Sequence, residues 1–225
     1  MNSHVSSEAQ PGQIGPPIAH HMDPVTAYHA AKLGMWLFLA TEILLFGGMF
    51  AAYALYHWMY FEEFHNASRQ LNPIIGGFNT VVLLFSSFTA ALAVDAAQHG
   101  RNDKVVKNLL ITIVCALIFL VVKYFEWSAK AEHGLFPGTS HDGIAFNSPE
   151  FITMYASFFG LYYCLTGLHG IHVVAGMCLL IWVMQKARKN RFSQDYYTPV
   201  EIGALYWHLV DLIWIYLFPL LYLVG

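Results

Sequence analysis

The chain has 225 residues, of which 57% are hydrophobic and only 11% are charged, a balance that is unusual for a water-soluble domain of this length. Its formal net charge is -3 with 11 Lys and Arg residues, which leaves no basic surface for nucleic acid and argues against that class of partner. The composition therefore indicates a protein whose main solvent is lipid.

Residues 1–29 form a polar segment rich in Pro, Gly, Ser and His. The segment lacks the charged start and the apolar run of a signal peptide, so we interpret it as a mobile tail that is not cleaved. Its scattered histidines are typical of solvated polar residues rather than of a metal site. Residues 30–225 are predicted to form a single membrane domain.

A membrane-spanning helix needs about 20 mostly apolar residues. Five stretches meet this requirement: 31–59, 74–98, 106–129, 152–185 and 201–224. Turn-forming residues separate them, such as the Asn72-Pro73 pair before the second stretch and the Pro137-Gly138 pair before the fourth. We therefore predict an all-α integral membrane bundle of five transmembrane helices.

The distribution of Lys and Arg predicts the orientation of this bundle. The loops after spans two and four lie on the side of the amino terminus and carry Arg101, Lys104, Lys107, Lys186, Arg188, Lys189 and Arg191. The opposite side carries only Arg69 and Lys130. Because positively charged loops favour the cytoplasm, the amino terminus is predicted to be cytoplasmic and the carboxyl terminus external.

Ionisable side chains inside a span are costly unless they face a partner, a lipid headgroup or water. Glu42 lies near the middle of span one, where desolvation disfavours the charged form. Two interpretations stay open for Glu42: a neutral carboxyl that bonds a neighbouring helix, and a group concerned with proton movement or lipid contact. In span three, Lys123 and Glu126 share a helix face and are predicted to form an ion pair.

Two further pairs with a spacing of three residues lie in the last two spans. His169 and His172 occur among glycines in span four, which favours close helix packing with both imidazoles hydrogen-bonded across the interface. In span five, His208 and Asp211 are predicted to form a hydrogen-bonded pair. Aromatic residues near the span ends are expected to anchor the bundle at the membrane surface: Trp58, Tyr60, Tyr196, Tyr197 and Tyr222.

A metalloenzyme is a less favoured hypothesis. Cys115, Cys164 and Cys178 lie in apolar stretches and lack the spacing of a zinc or disulfide framework. No HExxH or paired ExxH motif is present to link the histidines and carboxylates into a di-metal centre. The possible ligands for such a centre would be Glu42, Glu126, His169, His172 and His208.

One sequence string in each span carries a resemblance to a known family. The strings are KLGMWLFLATEILLFGGMF (Lys32 to Phe50), LNPIIGGFNTVVLLFSS (Leu71 to Ser87), VKYFEW (Val122 to Trp127), TGLHGIHVVAG (Thr166 to Gly176) and YWHLVDLIWIYLFPLLY (Tyr206 to Tyr222). In this order and spacing they resemble subunit III of the cytochrome c and quinol oxidases, over essentially residues 30–225. The chain is similar to a short, five-span form that lacks the first two helices of longer members.

The resemblance implies a helical bundle that docks beside subunit I and holds phospholipids in a cleft. Glu42 matches the buried, carbodiimide-reactive carboxylate of the family, with Thr41 in place of the usual Ser. Residues that match other family motifs are Glu126, which follows Lys123 in VKYFEW, the paired His169 and His172, and His208 with Asp211.

The resemblance also implies a role. Subunit III carries no redox cofactor, and the haem and copper lie in subunits I and II. We expect this chain to stabilise subunit I, hold structural phospholipids, guide oxygen and support proton uptake by a proton-pumping oxidase of the bacterial plasma membrane, with cytochrome c as an indirect partner. Two alternatives remain: subunit III of a quinol oxidase, and a standalone membrane transporter that uses Glu42, Lys123 and Glu126 as a polar path.

The orientation can be tested with reporter fusions at Gly100, at Gly138 and at the carboxyl end. We expect a cytoplasmic signal at Gly100 and external signals at the other two positions, because the Lys and Arg excess lies on the side of Gly100. A cytoplasmic signal at Gly138 would contradict the predicted topology.

Overall fold

The computed structural model of the chain describes residues 24–132, 140–141, 144–145, 157–194 and 196–224. These residues contain the helices α1 (Pro24–Met59), α2 (Phe61–Ser68), α3 (Pro73–Gln98), α4 (Asn102–Glu132), α5 (Ser157–Arg188) and α6 (Thr198–Tyr222). They also contain two short strands, β1 (Ser140–His141) and β2 (Ile144–Ala145), which pair in antiparallel orientation.

Five of these helices are long and apolar enough to cross a bilayer, with spanning stretches of 34, 26, 31, 32 and 25 residues. The predicted all-α fold with five spans is thereby confirmed. One boundary differs, since α1 begins at Pro24, within the segment that the sequence assigned to the tail. Proline suits the first position of a helix because its fixed φ is already helical. Residues 1–23 and the predicted start of span four, residues 152–156, lie outside the described residues.

Local chemistry sets the turn on each side of α3. The Asn72 side-chain oxygen accepts a hydrogen bond from the backbone N–H of Ile74 at 3.0 Å, which caps the helix, and Pro73 occupies its first position. At the other end, Gly100 has a φ of +68°, a backbone conformation that glycine adopts without steric penalty. The chain can therefore reverse within a few residues and begin α4.

The helices pack as a ring of four with α1 on its outside. Helix α6 contacts α3 and α5, α4 contacts α3 and α5, and α1 packs only against α5 and α6 among the spanning helices. Of the five spans, α6 is the most covered by the rest of the protein and α1 the least. The outer face of α1 therefore presents large apolar side chains, including Leu37, Leu44 and Trp58.

Polar contacts fasten α1 to α6 near both ends. Lys32 Nζ lies 2.8 Å from one carboxylate oxygen of Glu201, and the Tyr28 hydroxyl donates to the other oxygen at 3.4 Å. Near the opposite end, the Tyr53 hydroxyl donates to the backbone carbonyl of Leu220 at 2.9 Å. These bonds hold a helix that has little other coverage.

Helices α5 and α6 pack tightly at Gly176. A Cβ atom at this position would lie 2.9 Å from the Trp207 ring and 3.1 Å from the Tyr206 ring. Trp207 is fully buried, so its ring has little room to move aside. The glycine therefore permits this helix contact by the absence of a side chain.

We expect Gly176→Ala to lower the stability of the bundle by about 1–3 kcal/mol, because the added methyl group overpacks a rigid aromatic contact. Gly170→Ala is the matched control on the same helix, since a Cβ atom there would meet no atom within 4 Å. The midpoint of thermal unfolding in detergent measures the difference. Equal midpoints for the two variants would contradict the close-packing role of Gly176.

Candidate functional site

The first polar site is a buried group that we call the lysine–glutamate cluster: Lys123, Glu126, Lys130, Tyr162 and Tyr222. Lys123 and Lys130 lie on the same face of α4 as Glu126, at distances of 2.8 and 2.7 Å from its two carboxylate oxygens. The hydroxyl groups of Tyr162 on α5 and Tyr222 on α6 donate to one of these oxygens at 3.1 and 2.6 Å. One carboxylate therefore binds side chains from three helices.

The hydrogen bonds of the cluster are arranged so that almost every donor has an acceptor. Lys123 donates to Glu126 and to the hydroxyl oxygens of Tyr222 and Tyr162, at 3.0 and 3.2 Å for the last two, and so uses all three N–H groups. Lys130 donates to Glu126 and to Tyr162 at 2.7 and 3.4 Å. Two ammonium groups share one carboxylate, which leaves the cluster with one excess positive charge.

The predicted ion pair between Lys123 and Glu126 is confirmed by these distances. Lys130 and Tyr162 are partners that were not predicted, although the spacing of four residues between Glu126 and Lys130 is a helical ion-pair signal. Tyr222, predicted as an anchor near the end of span five, belongs to this cluster. Tyr222 is only 7% exposed, because its hydroxyl is needed to satisfy the buried carboxylate.

The second polar site joins the middle of α1 to α5. Glu42, midway along α1, has a carboxyl oxygen 2.8 Å from Nε2 of His172 on α5. The other ring nitrogen of His172, Nδ1, lies 2.8 Å from the backbone carbonyl of Leu168. The two side chains are 14% and 13% exposed, so the contact is only partly covered by the protein.

The bonding of His172 fixes how many protons this site holds. A carbonyl oxygen can only accept a hydrogen bond, so Nδ1 carries a proton and donates it to Leu168. Only one further proton is then needed in the contact between Nε2 and Glu42. It resides on the carboxyl group, with a neutral imidazole, or on Nε2, with a carboxylate and an imidazolium. The hydrogen bond between the two side chains therefore contains one proton.

The neighbouring His169 is placed differently from His172. It is fully buried, and neither ring nitrogen makes a hydrogen bond to the described residues, so the prediction that both imidazoles are hydrogen-bonded across the helix interface is wrong for His169. Its ring instead packs against Trp214 and Phe119, with centroids 5.2 and 5.6 Å away. His169 therefore fills space at the centre of the bundle.

The predicted hydrogen bond between His208 and Asp211 is also wrong. His208 Nδ1 lies 2.6 Å from the hydroxyl oxygen of Ser87 on α3, a partner that sequence spacing within one helix cannot indicate. Asp211 is only 3% exposed, and its carboxyl group lies beside the Ser87 hydroxyl rather than in a bond with His208. A second hydrogen bond between α3 and α6 is made by Ser86, whose hydroxyl accepts from Trp207 Nε1 at 2.9 Å.

The acidic and histidine side chains are thus divided among separate sites. Glu42 pairs with His172, Glu126 with two lysines, and His208 with a serine. Within the part of the chain that the structure describes, no three His, Cys, Asp or Glu side chains come together in a way that could hold a metal ion. The arrangement favours proton exchange at one site and charge neutralisation at the other.

Removal of the carboxylate charge from the lysine–glutamate cluster provides a stability test. We expect Glu126→Gln to destabilise the bundle by about 3–5 kcal/mol, because two buried ammonium groups lose their counter-ion. Adding Lys123→Met to that variant should recover part of the loss, since one uncompensated charge is then removed. Denaturation midpoints in detergent provide the measurement, with Glu62→Gln on α2 as the control. A loss equal to that of the control would refute the structural role of Glu126.

Comparison with known proteins places these sites in a family. A family model described as cytochrome c oxidase subunit III matches residues 17–225. Cytochrome c oxidase subunit 3 of Synechocystis sp. is 31% identical over 224 residues, which cover 99% of this chain and 85% of that protein. The same subunit of Thermostichus vulcanus is 31% identical over 192 residues, covering 85% and 86% of the two chains. The probable cytochrome c oxidase subunit 3 of Mycobacterium leprae is 26% identical over 219 residues, covering 95% and 97%.

Proposed function

The chain belongs to the cytochrome c oxidase subunit III family, and on that premise we propose that it is the non-redox third subunit of a proton-pumping oxidase that passes electrons from cytochrome c to oxygen. It is a multi-pass protein of a bacterial plasma membrane. In this role it stabilises subunit I, holds phospholipids, guides oxygen and supports proton uptake. The haem and copper belong to subunits I and II, and cytochrome c is an indirect partner.

The observation that carries the proton-uptake role is the contact between Glu42 and His172. Its two side chains share one exchangeable proton midway along α1, and neither is fully covered by the protein. Helix α1 is also the least covered span, with apolar side chains on its outer face. A partner subunit that packs against this face would lie close to a group that can accept and release a proton.

A non-redox role is supported by the engagement of several side chains that could otherwise hold a metal. His172 is bonded to Glu42 and Leu168, and His208 is bonded to Ser87. The cysteines are dispersed, with Cys115 buried and Cys164 and Cys178 exposed. These side chains therefore offer no pair of thiolates for a dinuclear copper centre.

Cytochrome c is favoured over quinol as the electron donor because the relatives are named as cytochrome c oxidase subunits. A copper-binding motif in the neighbouring subunit II would support this choice, and oxidation of quinol by the purified complex would contradict it. The standalone transporter is a separate hypothesis. If the chain is a transporter, the tagged chain should purify without haem-bearing partners. If the proposed function is right, the chain and the haem-bearing subunits should purify together.

The functional role of Glu42 can be separated from its structural role with Glu42→Gln. The amide keeps the shape of the side chain and can donate a hydrogen bond to Nε2 of His172, but it cannot exchange a proton. We expect the variant to assemble with a normal haem spectrum and a normal initial rate of oxygen consumption. It should pump fewer protons per electron or lose activity faster during turnover.

The measurements are initial oxygen consumption, pumped protons per electron and the decay of activity, all in the same lipid. Glu62→Gln, which removes an exposed carboxylate from α2, is the matched control. Immediate loss of oxygen reduction in a fully assembled Glu42→Gln complex would contradict a supporting role. Unchanged pumping and unchanged decay would leave Glu42 with a structural role alone.

A further inference from the structure

Two fully buried polar side chains lie inside the ring of four helices with polar atoms that no described residue bonds. Asn79 on α3 is fully buried, and neither the oxygen nor the nitrogen of its amide makes a hydrogen bond to the described residues. His169 on α5 is fully buried too, with both ring nitrogens in the same condition. Because buried polar groups are costly unless they are hydrogen-bonded, each of these side chains needs a partner.

Both side chains lie next to Trp214 of α6. The ring of His169 packs against the ring of Trp214, with centroids 5.2 Å apart. Thr80, which follows Asn79 in α3, accepts a hydrogen bond from Trp214 Nε1 at 3.1 Å. Helices α3 and α5 border α6 on its two sides, so Asn79 and His169 lie at about the same level of the bundle.

The lysine–glutamate cluster lies next to this level on one side. Lys123 Nζ is 5.1 Å from the centroid of the Trp214 ring. Gly76 is one turn before Asn79 on the buried face of α3, and a Cβ atom at Gly76 would lie 3.1 Å from the ring of Tyr222. Asn79 therefore follows directly behind the cluster along the centre of the ring.

A second polar group lies on the other side of this level. Asp211 is one turn before Trp214 in α6, and its carboxyl group lies beside the Ser87 hydroxyl. The same hydroxyl oxygen is 2.6 Å from Nδ1 of His208. Asn79 and His169 thus occupy the interval between this group and the lysine–glutamate cluster.

The chemistry of the two side chains identifies the ligand that would satisfy them. The amide of Asn79 provides two donor hydrogens and an acceptor oxygen, and a neutral imidazole at His169 provides one donor and one acceptor. The ligand must therefore both donate and accept hydrogen bonds. It must also be small, because the rings of Phe119 and Trp214 are only 4.8 Å apart at their centroids. Water has these properties, and a buried water commonly bonds about three polar groups.

We propose that the centre of the ring binds internal water at Asn79 and His169, beside Trp214. This water joins the lysine–glutamate cluster to Ser87 and Asp211, so that hydrogen-bonded groups continue along the centre of the ring from α4 to α6. The site lies within this chain and does not depend on the oxidase assignment.

Radiolytic labelling of the purified full-length chain, together with any subunits that purify with it, tests the site. Brief exposure to X-rays converts bound water into hydroxyl radicals, which oxidise the side chains next to that water. We expect Phe119, whose ring lies 5.6 Å from that of His169, to be oxidised several-fold faster than Phe158. Phe158 is the matched control, because it is equally buried but packs against the rings of Tyr53 and Phe64. Mass spectrometry of the peptides measures both rates.

Two variants remove the groups that hold the water. Asn79→Leu keeps the approximate volume of the side chain and removes its amide, and His169→Phe keeps a ring and removes both nitrogens. Each should lower the oxidation rate of Phe119 several-fold. Leu83→Ile, at a buried position on the same face of α3, is the control variant and should leave the rate unchanged.

The proposal is overturned if Phe119 and Phe158 are oxidised at the same rate in the wild type, a comparison that decides alone should a variant fail to fold. It is also overturned if folded Asn79→Leu and His169→Phe proteins keep the wild-type rate at Phe119. An equal fall in Leu83→Ile would overturn it as well, since the rate would then report general packing of the core.

Discussion

Glu126 accepts hydrogen bonds from side chains of three helices, and the geometry of one end of the bundle depends on this carboxylate. Lys123 and Lys130 reach it from α4, Tyr162 from α5 and Tyr222 from α6. A buried charge without a partner is costly, so a shift of any one of these helices would be unfavourable. The interaction therefore fixes the relative positions of α4, α5 and α6 more strictly than apolar packing alone, which tolerates repacking.

Hydrogen bonds between uncharged side chains also fix the relative positions of the helices. Trp207 and Trp214 donate their indole N–H groups to hydroxyls on α3, at 2.9 and 3.1 Å. Thr89 and Thr112 pair at 2.8 Å between α3 and α4. Each bond joins two helices at a point where neither could bond to lipid. Together with the close approach at Gly176, they specify which helix faces meet in a bundle whose surfaces are otherwise uniformly apolar.

A structural feature could be predicted from the sequence when the residues that form it are close together in the chain. Hydropathy depends only on local composition, so the five spans could be predicted, and the fixed periodicity of a helix made the Lys123–Glu126 pair predictable too. The contact of Glu42 with His172 joins residues far apart in the chain, and no local pattern indicates it. For His208, a local pattern gave a wrong prediction. Asp211 has the spacing of a partner within the same helix, but His208 bonds to Ser87 on another helix.

The two carboxylate sites differ in what their protons can do. At Glu126 two ammonium groups favour the charged carboxylate, so this site provides fixed charge and rigidity. At Glu42 the partner is an imidazole whose Nδ1 already donates to Leu168, so loss of the proton between Nε2 and the carboxyl oxygen would set a carboxylate against a nitrogen lone pair. The bond between α1 and α5 therefore requires the proton. Helix α1 is the span least covered by the rest of the protein, and this bond adds to the polar contacts near its two ends that hold it against α5 and α6.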